Sequence, residues 1–260
     1  MNLFVANEVG VRIEDVPILS DVSLSVNTGE WVSIVGPNGA GKTTLLSVMA
    51  GLRKASGSLS IDGRNITDLT LRERARLLAY VPQHPEIPPG MTVNSYVLLG
   101  RTHHLRFLGM EGSHDFLLVE HVLEQFDLSS MGQRTLESLS GGELQRCHLA
   151  RAIAQATPIV FLDEPTTALD LGHQQQALDR IRLLREEHQV TVVMTMHDLT
   201  LASQYSDRII LMSKGRIAVE GKPAEGLDPI RLSELYGAQV KVLQVDDHLV
   251  VVPSVSKENP

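Results

Sequence analysis

The pattern of apolar and polar positions changes period several times along the chain, and each change predicts an element. Val22, Leu24 and Val26 alternate with Ser23, Ser25 and Asn27, the period of two of a half-buried strand, before a turn at Asn27-Thr28-Gly29-Glu30. Residues 31–35 (WVSIV) are nearly continuous apolar, as in a strand covered on both faces. A glycine-rich stretch follows, and then Leu45, Val48, Met49 and Leu52 recur at helical spacing, with Gly51 near the helix end. SLSIDG (58–63) reads as a strand and turn, residues 71–78 as an amphipathic helix with Arg72, Arg74 and Arg76 on one solvated face, and AYVP (79–82) as a strand. From His84 the texture changes: prolines at 85, 88 and 89 precede a helical stretch that runs to about Gln155 without a β pattern. Strand–helix alternation resumes at IVFL (159–162), followed by a helix with Ala177, Leu178, Ile181 and Leu184 on one face, and by TVVMTM (191–196). RIILMSKGRIAVEG predicts a hairpin turning at Lys214-Gly215, and VKVLQVDDHLVVVP a second one around Asp246-Asp247, before a polar, frayed end.

This alternation predicts an α/β fold with a mainly parallel, doubly wound sheet. Ligands on such sheets bind beyond the carboxyl ends of the strands, so the functional residues are expected just after the apolar runs. A length of 260 residues fits one large domain, or a core carrying an insertion. With 23 Lys and Arg against 31 Asp and Glu, the net charge of −8 opposes long-range attraction to polyanions and argues against nucleic acid as a partner. A single cysteine cannot form an internal disulfide, and no zinc-ligand spacing occurs, which points to a reducing compartment. No apolar run reaches the ~18 residues that cross a bilayer. The start, MNLFVANEVG, lacks the basic flank and apolar stretch of a secretory signal.

Two stretches carry phosphate chemistry. Gly36-Pro37-Asn38-Gly39-Ala40-Gly41-Lys42-Thr43 matches the phosphate-loop pattern G-x-x-x-x-G-K-[ST], between a predicted strand and a predicted helix. Small residues let backbone N–H groups turn inward onto phosphate oxygens, and the helix that continues through Thr44 presents its positive end to the same anion. In such a loop Lys42 reaches the β- and γ-phosphates and the Thr43 hydroxyl binds Mg²⁺. The second stretch ends an apolar strand with two carboxylates, Asp163 and Glu164. Asp163 suits a hard cation such as Mg²⁺, and Glu164 is placed to orient or deprotonate an attacking water.

Between these halves lies Leu139-Ser140-Gly141-Gly142-Glu143-Leu144-Gln145-Arg146, and here the chain resembles the ATP-binding cassette (ABC) ATPases, whose signature is LSGGQ or a close variant. Glu143 stands where many members have Gln. Gln83, ending AYVPQ, matches the Q-loop, Ala168-Leu169-Asp170 the D-loop, and His197 the H-loop, all in family order over residues 3–222. The resemblance implies a P-loop NTPase core with an N-terminal antiparallel β subdomain (1–83 and 158–240 together), an inserted α-helical subdomain (84–157) and a C-terminal tail (241–260). It implies two ATP molecules in a head-to-tail homodimer, each held by the phosphate loop of one subunit and by Ser140, Gly141, Gly142 and Glu143 of the other. On the same ground Gln83 contributes to Mg²⁺ and to catalysis beside Glu164, His197 senses the γ-phosphate, and Asp170 couples the two sites. Family members usually place an aromatic residue ahead of the phosphate loop to stack on adenine. Ile13 stands there in this chain, which predicts weaker nucleotide affinity, unless the guanidinium of Arg12 stacks instead.

Three further stretches refine the resemblance. VLLGRTHHL (97–105), TTALDLGHQ (166–174) and DRIILMSKGRIAVEGKPAE (207–225) are similar to segments of the ATPases of importers for iron–siderophore complexes, haem and vitamin B12, although His103 replaces the usual proline. That resemblance implies a peripheral protein on the cytoplasmic face of the inner membrane, with two permease subunits, a substrate-binding protein upstream, and no nucleic acid. The alternatives are another ABC importer or exporter, or a soluble ABC ATPase outside transport. His103-His104 reads as a solvated or permease-facing pair, and Cys147 as a small buried side chain on a packed helix.

Overall fold

The computed structural model describes residues 2–105, 109–167, 169–246 and 248–254. In chain order its elements are β1 (Asn2–Ile13), β2 (Val16–Asn27), β3 (Trp31–Val35), α1 (Lys42–Met49), β4 (Ser56–Ile61), β5 (Arg64–Asn65), α2 (Leu71–Leu77), β6 (Leu78–Val81), α3 (Val93–Leu98), α4 (Ser113–Gln125), α5 (Gly141–Ala154), β7 (Ile159–Asp163), α6 (Leu171–His188), β8 (Thr191–Thr195), α7 (Leu199–Tyr205), β9 (Arg208–Ser213), β10 (Arg216–Gly221), α8 (Pro223–Gly226), α9 (Pro229–Tyr236), β11 (Val240–Val245) and β12 (His248–Pro253). They fall into two compact units, one of residues 1–65 with 193–260 and one of residues 66–192.

In the first unit an antiparallel sheet runs in the order β2-β1-β4-β5. The alternation read from residues 22–27 appears as buried Val22, Leu24 and Val26, with outward Ser23 and Asn27. The apolar run of β3 is buried throughout, and β9 lies parallel beside it while β10 returns antiparallel to β9. Ser33 is the polar exception in β3. The Ser206 hydroxyl donates to Ser33 Oγ at 2.5 Å, and Ser33 in turn reaches Met196 Sδ at 3.4 Å. A buried hydroxyl needs such a partner. Asp207 clips the start of β3 twice, its carboxylate accepting the Trp31 N–H at 2.8 Å and its own N–H reaching the Trp31 carbonyl at 3.0 Å. The C-terminal hairpin β11–β12 docks on α7, where the Ser203 hydroxyl donates to the Leu249 carbonyl and the Val251 N–H to Thr200 Oγ1. Its turn holds Asp246 at φ 50°, and Asp247 lies outside the described residues.

One expectation fails in this unit. Leu52 does not extend the apolar face of α1 and is 61% exposed. Gly51, at φ 67°, takes the left-handed position just past the C-cap Ala50, which ends the helix before Leu52 can return to its face.

In the second unit β6 and β7 pair in parallel, Tyr80 opposite Phe161. A capping box of Thr70 and Glu73 starts α2. Helix α6 buries Ala177, Leu178, Ile181 and Leu184, the four positions its 3.6 period requires. Arg180, on the same helix, reaches the carbonyl of Gln125 and the carboxylate of Asp127 at the end of α4. Helices α3 and α5 meet at Tyr96 and His148, whose hydroxyl and Nδ1 lie 2.7 Å apart, with the Arg151 guanidinium over the Tyr96 ring.

Candidate functional site

The phosphate loop lies in the first unit. Strand β3 delivers Gly36, and the left-handed Gly41 (φ 98°) turns the chain into α1. No side chain caps that helix and no acidic residue sits in its first turn, so no carboxylate of its own offsets the positive end of the dipole. Lys42 is buried, with Nζ donating to the Gly36 carbonyl at 2.9 Å and to the Pro37 carbonyl at 3.4 Å, so the ammonium is held across the loop. The glycines are steric requirements here. A Cβ on Gly36 would lie 2.3 Å from the Met212 carbonyl oxygen, and one on Gly41 would lie 2.9 Å from Leu19 Cδ2.

The β9–β10 turn forms one wall of this loop, which the sequence did not indicate. The Gly215 N–H donates to the Ala40 carbonyl at 3.0 Å, and its own carbonyl accepts the Ser20 N–H at 2.9 Å. A Cβ at this residue (φ +74°) would lie 2.2 Å from the Ile18 carbonyl oxygen. Helix α9 brings Tyr236 to the backbone of Gly36. Burial pushes its hydroxyl up to about 12, with the Gly36 backbone acting in the opposite sense. His197 follows β8 and is exposed. Ile13 sits at the tip of the β1–β2 hairpin, opposite Val16 and 38% exposed, and the Arg12 guanidinium is engaged by the Asp15 carbonyl in the same turn.

The second unit holds the carboxylates. Asp163 is 1% exposed at the end of β7. Tyr80 on β6 hydrogen-bonds it, and the Tyr80 hydroxyl is pushed up to about 12, first by burial and then by the Asp163 charge and that hydrogen bond. Sequence reasoning missed Tyr80, whose only local signal was an aromatic hydroxyl inside an otherwise apolar strand. Glu164 is held at φ 49°, a left-handed backbone whose strain of about 1–3 kcal/mol recurs at functional positions. Gln83 Nε2 donates to Glu164 Oε2 at 2.5 Å, so the predicted Q-loop and acidic residues meet. That contact leaves the Gln83 amide oxygen as an acceptor. With the Thr43 hydroxyl and the Asp163 carboxylate, every donor assigned to a metal is an oxygen, the set a hard cation such as Mg²⁺ takes.

The signature forms the start of α5. The Ser140 hydroxyl accepts the Glu143 N–H at 3.3 Å, while Glu143 Oε2 accepts the Ser140 N–H at 2.7 Å, a reciprocal capping box. The backbone N–H of Ser140, and then its hydroxyl, hold the Glu143 carboxyl below the usual carboxylate range. Arg134 Nη1 adds a 3.5 Å ion pair. Glu143 is thus occupied in capping its own helix; in the first turn a Cβ on Gly141 would meet nothing within 4 Å, whereas one on Gly142 would touch Leu169 and the His173 ring. Asp170 caps α6, and the backbone N–H and ring of His173 hold its carboxyl low. Ala168 of the predicted D-loop lies outside the described residues.

His103 is not solvated: it is 8% exposed and its ring lies 3.9 Å from that of His104. The 3₁₀ turn after α3 draws it inward, and burial, with the neighbouring cations, pushes it down to about 4. Cys147 is buried within α5, and burial pushes its thiol up to about 12.

A parallel-strand α/β core with a phosphate loop opening α1, and a strand-end Asp-Glu pair, define a P-loop nucleotide triphosphatase. The family model described as "ABC transporter" matches residues 19–167, and the chain belongs to the ABC transporter family. It is 33% identical over 258 residues to the iron(3+)-hydroxamate import ATP-binding protein FhuC of Bacillus subtilis (strain 168), covering 99% of this chain and 93% of that protein. The hemin import ATP-binding protein HmuV of Rhodococcus jostii (strain RHA1) is 38% identical over 229 residues, covering 88% and 77%. Among solved structures, one described as an inward-facing metal-chelate type ABC transporter aligns with TM-score 0.85 and 25% identity over 98% of both chains. The cassette MJ0796, solved as a dimer bound to ADP and Pi, aligns with TM-score 0.77 and 30% identity over 85% of this chain and 98% of its own.

Proposed function

We propose that this chain is the ATP-hydrolysing subunit of an ABC importer that takes up a metal chelate (an iron–siderophore complex, haem or vitamin B12) through separate permease subunits. The observation that carries the hydrolytic part is the 2.5 Å contact between Gln83 and Glu164, which fixes a strained, nearly buried carboxylate as an acceptor for a water proton. Lys42, folded across the carbonyls of its own loop, is positioned to neutralise phosphate charge, with the α1 N–H groups supplying further donors. Thr43, Asp163 and Gln83 would hold Mg²⁺, which when bound neutralises phosphate charge. His197, just past the end of β8, would sense the γ-phosphate.

The relatives' names support the cargo class, since they import hydroxamate-bound iron and hemin. The dimeric MJ0796 cassette supports a homodimer in which Ser140 and the first turn of α5 close on the partner's γ-phosphate. Two permease subunits and an upstream substrate-binding protein complete the assembly, at the cytoplasmic face of the inner membrane. Residues 84–157 form the part that faces the permease.

The test is capture of the permease with the full chain, followed by vesicle uptake of ferric hydroxamate, haem and cobalamin driven by ATP. Uptake of one of these with wild-type chain and none with Glu164→Gln is the expected result. ATP-driven movement outward, or capture of no polytopic partner, would overturn the importer reading.

A further inference from the structure

The loop after Glu164 is closed by two adjacent side chains, His173 and Gln174, in the first turn of α6. Asp170 Oδ1 accepts both the backbone N–H of His173 at 2.9 Å and its ring Nδ1 at 2.7 Å. An ionised carboxylate only accepts, so Nδ1 is the donor in this contact. Gln174 reaches back along the loop, its Nε2 donating to the carbonyls of Thr166 and Leu169 at 3.1 Å each, while its backbone N–H donates to the Asp170 carbonyl at 2.8 Å. Nearer the carboxylate end, the Thr167 hydroxyl lies 3.4 Å from Glu164 Oε2 and the Thr167 N–H 3.4 Å from the Glu164 carbonyl. The His173 ring also borders the start of α5, since a Cβ on Gly142 would lie 3.8 Å from it and 3.7 Å from Leu169.

We propose that His173 and Gln174 are positioning residues for hydrolysis: His173 fixes the orientation of the Asp170 carboxylate through Nδ1, and Gln174 fixes the Thr166 and Leu169 carbonyls between Glu164 and Asp170. This rests on the roles given to Glu164 and Asp170 above. Neither side chain touches the reacting atoms. Gln174 holds two loop carbonyls that would otherwise turn to water, and His173 holds the Asp170 side chain in one rotamer. The expected signature is therefore a fall in turnover with little change in nucleotide binding.

The hydrogen-bond geometry gives a discriminating pair of substitutions. The amide nitrogen of an asparagine occupies the place of Nδ1, two bonds beyond Cβ, whereas that of a glutamine occupies the place of Nε2. ATPase activity of the full chain is measured for wild type, His173→Ala, His173→Asn, His173→Gln, Gln174→Ala and Asp170→Ala, alone and combined, with mant-ATP affinity and melting temperature recorded in parallel. His173→Ala and Gln174→Ala should each lower kcat about tenfold with KM within about twofold. His173→Asn should restore most of the loss, His173→Gln should not, and Asp170→Ala combined with His173→Ala should be no slower than Asp170→Ala alone. Equal rescue by asparagine and glutamine, additive losses with Asp170→Ala, or unchanged kcat in His173→Ala would overturn the proposal. Glu164→Gln serves as the separate arm: if it leaves turnover intact, the underlying site reading fails, whereas a dead Glu164→Gln beside a fully active His173→Ala sinks only this inference.

Discussion

Gly215→Ala is the substitution whose effect can be worked furthest, because it separates backbone strain from steric collision at the wall of the phosphate loop. Gly63 provides the reference: it has φ +72°, and a Cβ there would meet nothing within 4 Å. Gly63→Ala therefore bears only the left-handed penalty, about 1 kcal/mol, or about 3 °C in melting temperature for a chain of this size. Gly215 has nearly the same φ, +74°, but its Cβ would lie 2.2 Å from the Ile18 carbonyl oxygen, 2.9 Å from the Ile18 carbonyl carbon and 3.2 Å from Leu19 Cα. All three neighbours are backbone of β2, so the turn must withdraw by about an ångström, and overpacking of that kind adds about 2 kcal/mol, for a total near 9 °C. The withdrawal also carries off the N–H that holds the Ala40 carbonyl at 3.0 Å, loosening the loop that binds nucleotide. Differential scanning fluorimetry with and without ATP, and mant-ATP titration, read both effects. Gly63→Ala should bind nucleotide like wild type and Gly215→Ala at least tenfold more weakly, a difference of about 1.4 kcal/mol. Equal melting temperatures and equal affinities for the two variants would refute the packing argument.

Lys42→Ala removes the ammonium held over the Gly36 carbonyl and should abolish productive ATP binding in the same titration. Glu164→Gln should bind ATP normally, hydrolyse it orders of magnitude more slowly, and elute as a dimer with Mg-ATP in gel filtration; a persistent monomer counts against the composite site. Ile13→Tyr, at a half-exposed hairpin tip, should strengthen nucleotide binding by the ~1–3 kcal/mol of aromatic–base stacking, and no gain for ATP or GTP would dismiss the adenine assignment. His148 is pushed from 6.5 down to about 4 by burial, with Arg151 beside it, so the native state favours the neutral ring. Its contribution to stability is present above 6.5 and lost as pH falls toward 4, and His148→Asn should flatten that part of the melting-temperature profile.

The chain reveals its local rules well. The alternation in β2, the unbroken apolar run of β3, the phosphate loop and the apolar face of α6 each follow from residues close together in sequence, where periodicity and steric demand act directly. Glu164 was legible as a carboxylate ending an apolar strand and Gln83 through the family pattern, but their contact spans 81 positions of sequence. Features fixed by remote packing were not readable. Gly215 announces a turn, but nothing in its neighbourhood says that the turn backs onto Ala40. Tyr80 and His103 look like ordinary strand and helix residues until the pairing with β7 and the inward 3₁₀ turn decide their surroundings. Leu52 fits a helical spacing that Gly51 has already ended.

The buried position of Cys147 has a practical consequence. It is the single cysteine in the sequence, and its thiol is both enclosed and held far from ionisation at neutral pH. The thiolate is the form that adds to maleimides and yields to mild oxidants, so the enclosed Cys147 thiol should react slowly with both. A cysteine introduced on an exposed helix can then carry a spectroscopic label without first stripping the protein of its own sulfur, and distances between labelled copies can follow each stage of turnover in an otherwise unaltered background.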